Sequence, residues 1–251
     1  MIVKYIAAAA LCLSALGSVA GAADTAPSAD DIINAYLKAI GGKEAVEGIQ
    51  SRALEGTVEI LYMAIKAPIT TYSKPPSVYT KIDIKEIGTF ENGYTEGVAW
   101  DINPMEGTRI LAGEAKAEMM VRGAKNEFLD WKSHFKEAKC TGESMVGETP
   151  CHTLEMTPLE GPVQTFHFDK VSGLLVQHVM ENDKGYTITA ALSDYKDVGA
   201  LKFPHKHRNT GGEVEFEVTW SKVEINGEVP ADKFVLPEAV RKLQENQAKK
   251  D

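Results

Sequence analysis

Cysteine is scarce in this chain, and its spacing excludes the common dithiol redox motif. Three cysteines occur in 251 residues, and no two of them have the CxxC spacing of a thiol oxidoreductase. Cys12 lies in an apolar N-terminal segment, which leaves Cys140 and Cys151 for the rest of the chain. A hairpin turn at 147–150 would set Cys140 opposite Thr157, so the residues alone leave a Cys140–Cys151 disulfide open.

Signatures of common enzymes are also missing. The sequence contains no GxSxG nucleophile elbow, no Walker loop, no HExxH and no GxGxxG segment. Its acidic residues do not reveal an acid–base pair, because many alternate with apolar residues, as Glu213, Glu215 and Glu217 do. We therefore assign no catalytic residue, no cofactor and no metal ion, and we interpret the chain as a non-enzyme.

Positive charge is in short supply. The chain has 27 basic and 36 acidic side chains, a net charge of -9, and no basic run. Nucleic acids and anionic lipid head groups attract proteins that carry concentrated positive charge. We therefore expect no nucleic-acid partner.

Long apolar runs are confined to the N-terminus, where they are typical of a secretory signal. Lys4 is followed by the apolar segment 6–16 and by small residues at 20–23, which predicts a signal peptide over 1–23 with cleavage near Ala22 or Ala23. The apolar segment falls short of the roughly 20 residues that span a bilayer, although a retained N-terminal anchor is the alternative. We expect residues 24–251 to form one periplasmic domain with no membrane-spanning segment after cleavage.

An amphipathic helix opens the predicted mature chain. Ser28 and Asp31 have the spacing of a capping box, and Gly41-Gly42 provides a stop. Between them, apolar residues recur at helical spacing, at Ile32, Ile33, Tyr36, Leu37 and Ile40.

After residue 50 the hydrophobic period changes from helical spacing to two, which predicts strands with one buried and one wet face. We place strands over 54–62, 78–84, 97–102, 108–111, 141–146, 151–156, 163–168, 174–180, 186–192, 201–208 and 213–220. No βαβ alternation occurs. The expected fold is mainly β (α+β), a single strongly curved antiparallel sheet or half-open barrel.

Two further helices are predicted. An inserted helix over 114–135 would place Met120, Ala124, Phe128, Trp131 and Phe135 on one face, with Gly123 as its weak point. A polar, charged helix or tail is expected over 237–251. We expect the N-terminal and inserted helices to cover the concave face of the sheet.

Apolar side chains on this face are the candidate ligand-binding residues, because methionine and aromatic residues often line adaptable apolar sites. Ordinary core packing is the alternative for each of them. The candidates are Leu54, Val58, Ile60, Trp100, Met119, Met120, Phe128, Trp131, Phe216 and Trp220.

His205 and His207 are the only histidines with suggestive spacing. Two residues apart on a strand, they would share a face, but two ligands do not make a metal site. We interpret them as solvent-exposed residues beside Lys206 and Arg208.

Short segments along nearly the whole chain together resemble the outer-membrane lipoprotein-sorting-protein-like group of the LolA/LolB/LppX superfamily. They are the opening 31–42, Glu55-Gly56-Thr57-Val58, Tyr72-Ser73-Lys74-Pro75-Pro76, Gly97-Val98-Ala99-Trp100, 103–107, 168–175, Asp194-Tyr195-Lys196-Asp197, Lys202-Phe203-Pro204 and 232–237.

The resemblance implies an unclosed, curved antiparallel barrel whose helices lid an apolar cavity for acyl chains. It also strengthens the expectation of a Cys140–Cys151 disulfide. The lipoprotein carrier of this group has an arginine in its cavity. We expect no equivalent here, because the arginines appear in polar or terminal settings at Arg52, Arg109, Arg122, Arg208 and Arg241.

Three functions remain open on this basis. The leading hypothesis is a periplasmic carrier or binding protein for a lipid, a lipoprotein acyl chain or another hydrophobic ligand. The second is a non-catalytic interaction module with an envelope protein partner, associated with a peptidase. The third is a metal-dependent envelope hydrolase, which rests on the histidines alone.

Overall fold

The computed structural model describes residues 26–181, 185–212 and 215–249. The predicted signal peptide and Cys12 lie outside this part of the chain, as do Glu213 and Val214. Four α-helices are present in it, α1 (Ala29–Ala39), α2 (Lys43–Glu47), α3 (Gly113–Gly123) and α4 (Glu238–Ala248).

One antiparallel sheet of thirteen strands forms the body of the protein. Its order is β6-β5-β4-β3-β2-β1-β13-β12-β11-β10-β9-β8-β7, so its two edge strands do not pair and the sheet is not closed. The strands are β1 (Arg52–Ile60), β2 (Ile65–Lys74), β3 (Ser77–Ile84), β4 (Gly88–Thr95), β5 (Val98–Asn103), β6 (Gly107–Leu111), β7 (Phe135–Val146), β8 (Thr149–Pro158), β9 (Gln164–Asp169), β10 (Leu175–Glu181), β11 (Thr187–Val198), β12 (Leu201–Thr210) and β13 (Phe216–Ile225). The expected mainly-β fold with a single open antiparallel sheet is confirmed.

Helix α1 forms as the sequence predicts. The Ser28 hydroxyl accepts a hydrogen bond from the Asp31 amide, and the Asp31 carboxylate accepts one from the Ser28 amide. Gly41 ends the helix with φ of +123°, and a Cβ there would lie 2.2 Å from the Ala200 carbonyl oxygen. The end of α1 therefore packs directly on the start of β12.

The inserted helix is much shorter than predicted. Helix α3 ends at Gly123, where a Cβ would lie 2.0 Å from the Pro76 carbonyl oxygen. Ala124 then turns to extended backbone, with φ of -65° and ψ of 158°. Phe128 follows in an irregular segment, while Phe135 begins β7. The helical spacing of residues 120–135 is therefore a coincidence of the sequence, because contact with the β2–β3 turn ends the helix first.

Some strands also differ from the predicted pattern. Strands β2 and β4 were not predicted, since β2 contains Pro68 and β4 is rich in glycine and polar residues, which weaken the strand signal. The strand predicted over 186–192 is longer in the structure, where β11 continues to Val198 and turns at Gly199-Ala200. Asp194 has φ of +53°, so β11 has a local irregularity there.

The two faces of the sheet are covered differently. We call inner the face that bears Leu54 and Val58, where α1 packs on β7 and β8 and α3 packs on β3, β4 and β5. Helix α4 lies on the outer face, where buried Val240 packs with Trp100 and Tyr79. The polar C-terminal segment therefore does form a helix, and one apolar residue anchors it.

Candidate ligand-binding surface

A continuous apolar surface occupies the inner face between α1 and α3. We call it the inner strip. Seven of its side chains are buried and seven are partly buried: Leu54, Val58, Ala67, Ile69, Ile84, Val218 and Trp220, then Ile60, Ile65, Ile82, Phe90, Phe203, Phe216 and Val223. All of them come from β1–β4, β12 and β13, and none comes from a helix.

The pairing register explains why these residues share a face. Val58 lies between Ala67 and Val218, and Ile60 lies between Ile65 and Phe216. Because cross-strand partners point to the same side of a sheet, alternate residues of each strand meet on the inner face. Gly56 allows close approach at the centre, since a Cβ there would lie 3.0 Å from the Trp220 ring.

Five predicted site residues meet in the inner strip, namely Leu54, Val58, Ile60, Phe216 and Trp220. Three others lie on the same side of the sheet beneath its covering segments. Met119 is a buried residue of α3 that packs on the sheet, and Phe128 makes edge-on contacts with the Tyr36 and Phe168 rings. Trp131 packs partly buried beside α1 and donates from Nε1 to Asp30 over 3.1 Å. These three are core residues rather than exposed lining.

Two predicted site residues are placed elsewhere. Trp100 pairs with Gly93 and Ile110 on the outer face, where Leu236 and α4 cover it. Its neighbour Ala99 is the residue that faces inward. Met120 is 38% exposed, because its neighbour Met119 takes the buried position on α3. Each of them therefore lies one residue out of phase with the position that faces inward.

Arg52 is the functional candidate that the sequence missed. Its cross-strand partner Ser73 and the next residue in that row, Val78, lie on the inner face. The guanidinium donates to Ser73 Oγ (2.8 Å), the Ala124 carbonyl (2.6 Å) and the Lys125 carbonyl (3.2 Å). Burial lowers its pKa to about 10. The expectation that Arg52 lies in a polar setting is wrong, because the segment after α3 folds over it.

That segment also carries a buried acid, Glu127. Burial raises the pKa of its carboxyl to about 7. Its neighbours Asn126 and Phe128 are fixed by the hydrogen bond from the Phe128 amide to Asn126 Oδ1, 2.9 Å long. Asn126 reaches Tyr36 of α1. The segment 124–134 therefore links α3 to α1 across the inner face, and it holds an ionisable group in its middle.

We expect Glu127 to make the protein less stable as the pH rises. A carboxyl with a pKa of about 7 when folded and about 4.5 when unfolded is more protonated in the folded state between these values, so ΔG of unfolding falls as pH increases from about 4.5 to 7. The full effect is about 3 kcal/mol. The measurement is urea unfolding of wild type and Glu127→Gln at pH 4.5, 6 and 7.5. The difference in the free energy of unfolding between the two proteins at each pH gives the contribution of Glu127.

That comparison also removes the opposing contribution of the buried histidines. Burial lowers the pKa values of His178 and His207 to about 4, so both favour folding as pH rises towards 6.5. They are present in both proteins and cancel. A Glu127→Gln variant with the same pH dependence as wild type would show that Glu127 is ionised at its usual pKa.

The histidines are less exposed than their charged neighbours indicate. His205 is buried and its Nδ1 lies 3.0 Å from the Phe203 carbonyl oxygen. His207 pairs with Leu192 and Val218, and its buried Nε2 has no hydrogen-bond partner. The expectation of solvent-exposed histidines is wrong, since both face inward. Within the described ranges, no group of three histidine, cysteine or acidic side chains is arranged to hold a metal ion.

Cys140 and Cys151 are free thiols in the structure. The β7–β8 turn is shorter than predicted, so that Cys140 pairs with Leu154 and Cys151 with Ser144. This register separates the cysteines by three residues along the hairpin, or about 10 Å at the usual strand rise. A disulfide requires Cα atoms within about 7 Å. The expected bridge is therefore incompatible with this register.

Two open clefts lie away from the middle of the inner strip. One, of about 590 Å³, is formed at the β3–β4 turn by Pro68 and residues 83–89. The other, of about 390 Å³, lies on the outer face between Trp100 and residues 232–237. The inner strip itself is a surface that the curved sheet presents, and the pairing register places Pro68, Asp83 and Thr89 of the first cleft on the outer face.

Comparison with known proteins identifies the fold. No family model and no curated protein matches the sequence. Among solved structures, a LolA superfamily protein from Nitrosomonas europaea matches with a TM-score of 0.58 at 9% identity, over 84% of this chain and 99% of that one. The chain has the LolA fold.

Two further structures share the LolA fold. A DUF1329 family protein from Desulfovibrio piger has a TM-score of 0.58 and 17% identity, covering 82% of this chain and 97% of its own. A domain described as an outer membrane lipoprotein-sorting protein, from Vibrio parahaemolyticus, has a TM-score of 0.54 and 13% identity, covering 76% and 92%. The resemblance seen in the sequence is thus confirmed at the level of fold.

The helices of this LolA fold are short. In the part of the chain that the structure describes, none has the length and apolar character needed to cross a membrane.

Proposed function

We propose that the protein is a non-enzymatic periplasmic carrier that binds a lipid, or the acyl chain of a lipoprotein, on the inner strip. The observation that supports this best is the strip itself, because fourteen apolar side chains from six strands form one surface and half of them remain partly exposed. A ligand that covers such a surface is stabilised by about 25 cal/mol for each Å² of apolar area that it removes from water.

Other features agree with this function. The solved LolA-fold structures include a domain described as an outer membrane lipoprotein-sorting protein. The signal-like N-terminus is consistent with export to the periplasm. Arg52 and the segment 124–134 close one flank of the strip, so an acyl chain would enter along the open middle strands.

A charged side chain on the inner strip is expected to weaken lipid binding strongly. Phe216 is partly buried at its margin, beside Ile60, and Phe216→Asp would force an acyl chain to desolvate a carboxylate. We expect at least a tenfold loss of bound lipid. The bound lipid is measured by native mass spectrometry. Each protein is examined as purified from the periplasm and again after incubation with dioleoylphosphatidylethanolamine or a palmitoylated peptide.

Thr219→Asp provides the matched control. Thr219 is exposed on the same strand but points to the other face, so this variant adds the same charge away from the strip. Thermal unfolding of both variants confirms that each is folded. A wild-type protein that stays free of both probes would overturn the proposed function.

A further inference from the structure

The exposed large apolar side chains are distributed unevenly between the two ends of the sheet. In an antiparallel sheet, alternate hairpin turns lie at the same end. The turns β1–β2, β3–β4, β5–β6, β8–β9 and β10–β11 all lie at the end that contains Ile60, as the pairings Ile60–Ile65, Ile84–Gly88 and Asn103–Gly107 require. We call this end the apolar rim.

Each of these five turns exposes at least one large apolar side chain. The residues are Tyr62, Met63, Ile87, Met105, Leu159, Val163 and Tyr186. Among the described residues, the hairpins at the opposite end expose only two large apolar side chains, Met145 and Val171. A sixth turn, β12–β13, lies at the same end and has no exposed large apolar side chain among its described residues. Turn tips are ordinarily polar, so apolar residues at five of these six turns need a reason beyond folding.

The apolar rim is also where the inner strip opens. Ile60, Ile65 and Phe216 are partly buried strip residues at this end, where they pair across β1, β2 and β13. A hydrophobic ligand that moves along the strip therefore passes the rim before it leaves the protein.

Two basic side chains beside the rim turns are paired with acids. Lys66 lies 3.0 Å from Glu59 beside the β1–β2 turn, and Arg109 lies 2.9 Å from Glu106 beside the β5–β6 turn. The whole chain has a net charge of -9. Such a surface lacks the excess of cations that attracts a protein to anionic lipids, and it matches a bilayer surface without net charge.

We propose that the apolar rim docks the protein on a lipid bilayer, with the turn tips inserted among zwitterionic head groups. Apolar and aromatic side chains bind at this depth by burying area in the boundary between head groups and acyl chains. The docked rim would set the open end of the inner strip against the membrane. This inference concerns a surface separate from the strip and does not require the strip to hold a ligand.

Two matched double variants test the proposal. Met105→Asp/Val163→Asp changes two tips of the apolar rim, which are 72% and 51% exposed. Met145→Asp/Val171→Asp makes the same chemical change at the opposite end, at residues 62% and 88% exposed. All four side chains are exposed, so both proteins are expected to fold as wild type does.

The measurement is flotation of the mature protein with vesicles of dioleoylphosphatidylcholine and dioleoylphosphatidylethanolamine. We expect wild type and the opposite-end variant to float equally, and the rim variant to bind at least tenfold more weakly. Because docking does not depend on net charge attraction, the bound fraction is expected to stay constant between 50 mM and 500 mM salt, a range over which exposed charges are strongly screened.

Other outcomes overturn the docking proposal. They are a wild-type protein that does not float, equal losses in the two double variants, or binding that needs anionic lipid and disappears at high salt. Lipid loading of the rim variant from detergent, followed by native mass spectrometry, separates the two proposals. Loading that persists while flotation is lost supports both of them, and flotation without loading removes only the carrier function.

Discussion

Replacement of Arg52 by alanine is expected to lower the free energy of unfolding by about 3 kcal/mol. The guanidinium donates to the carbonyls of Ala124 and Lys125 as well as to Ser73. A hydrogen bond from a charged donor contributes about 1.5–3 kcal/mol, and a buried carbonyl left without a partner adds its own desolvation cost. Burying the guanidinium, which lowers the pKa of Arg52, has its own cost. That cost offsets only part of the stabilisation from the hydrogen bonds.

Arg109→Ala is the control for Arg52→Ala. Arg109 is a half-exposed arginine whose ion pairs with Asp101 and Glu106 lie at the surface, where such pairs contribute about 0–1 kcal/mol. Urea unfolding of both variants gives the comparison. Hydrogen exchange over residues 124–134 is expected to quicken in Arg52→Ala alone.

The Arg52→Lys variant tests whether the planar arrangement of the guanidinium nitrogens contributes to stability. Lysine keeps the charge but has its donors on one nitrogen, so it does not reproduce the three contacts that the separate guanidinium nitrogens make with Ser73, Ala124 and Lys125. We expect an intermediate loss of stability. If Arg52→Ala unfolds at the same urea concentration as Arg109→Ala, the segment 124–134 is held by apolar packing and not by Arg52.

Gly123→Ala is expected to destabilise the protein by about 2 kcal/mol, although helix propensity alone predicts a gain of about 1 kcal/mol for glycine to alanine. The added Cβ would lie 2.0 Å from the Pro76 carbonyl oxygen and 3.0 Å from its carbon. Both are backbone atoms, so the clash forces a shift of α3 away from the β2–β3 turn, and overpacking of this kind costs about 1–3 kcal/mol.

The sign of the change makes the Gly123 experiment decisive. Gly227→Ala is the control, since a Cβ at Gly227 meets no atom closer than 3.6 Å and its backbone lies outside the left-handed region. We expect that variant to unfold within about 0.5 kcal/mol of wild type. A Gly123→Ala protein more stable than wild type would mean that α3 does not pack on Pro76.

The sequence determined those parts of the protein whose cause is local. Ser28 and Asp31 cap α1 through residues three positions apart, and strict alternation marks β1 and β13 because every second side chain must face the core. Leu54, Val58, Ile60, Phe216 and Trp220 meet in the inner strip because they share this alternation on neighbouring strands. The single open sheet follows from the same periodicity.

Tertiary structure decided what depends on contacts between distant residues. The end of α3 at Gly123 is set by Pro76, and the burial of Arg52 is set by a segment that begins 72 residues later, at Ala124. Trp100 is buried although it faces outward, because Leu236 and the C-terminal helix cover that side, which no local pattern encodes. The apolar rim likewise becomes one surface only when antiparallel pairing gathers turns from across the chain, since periodicity fixes which side of a strand is apolar but not which elements will meet it.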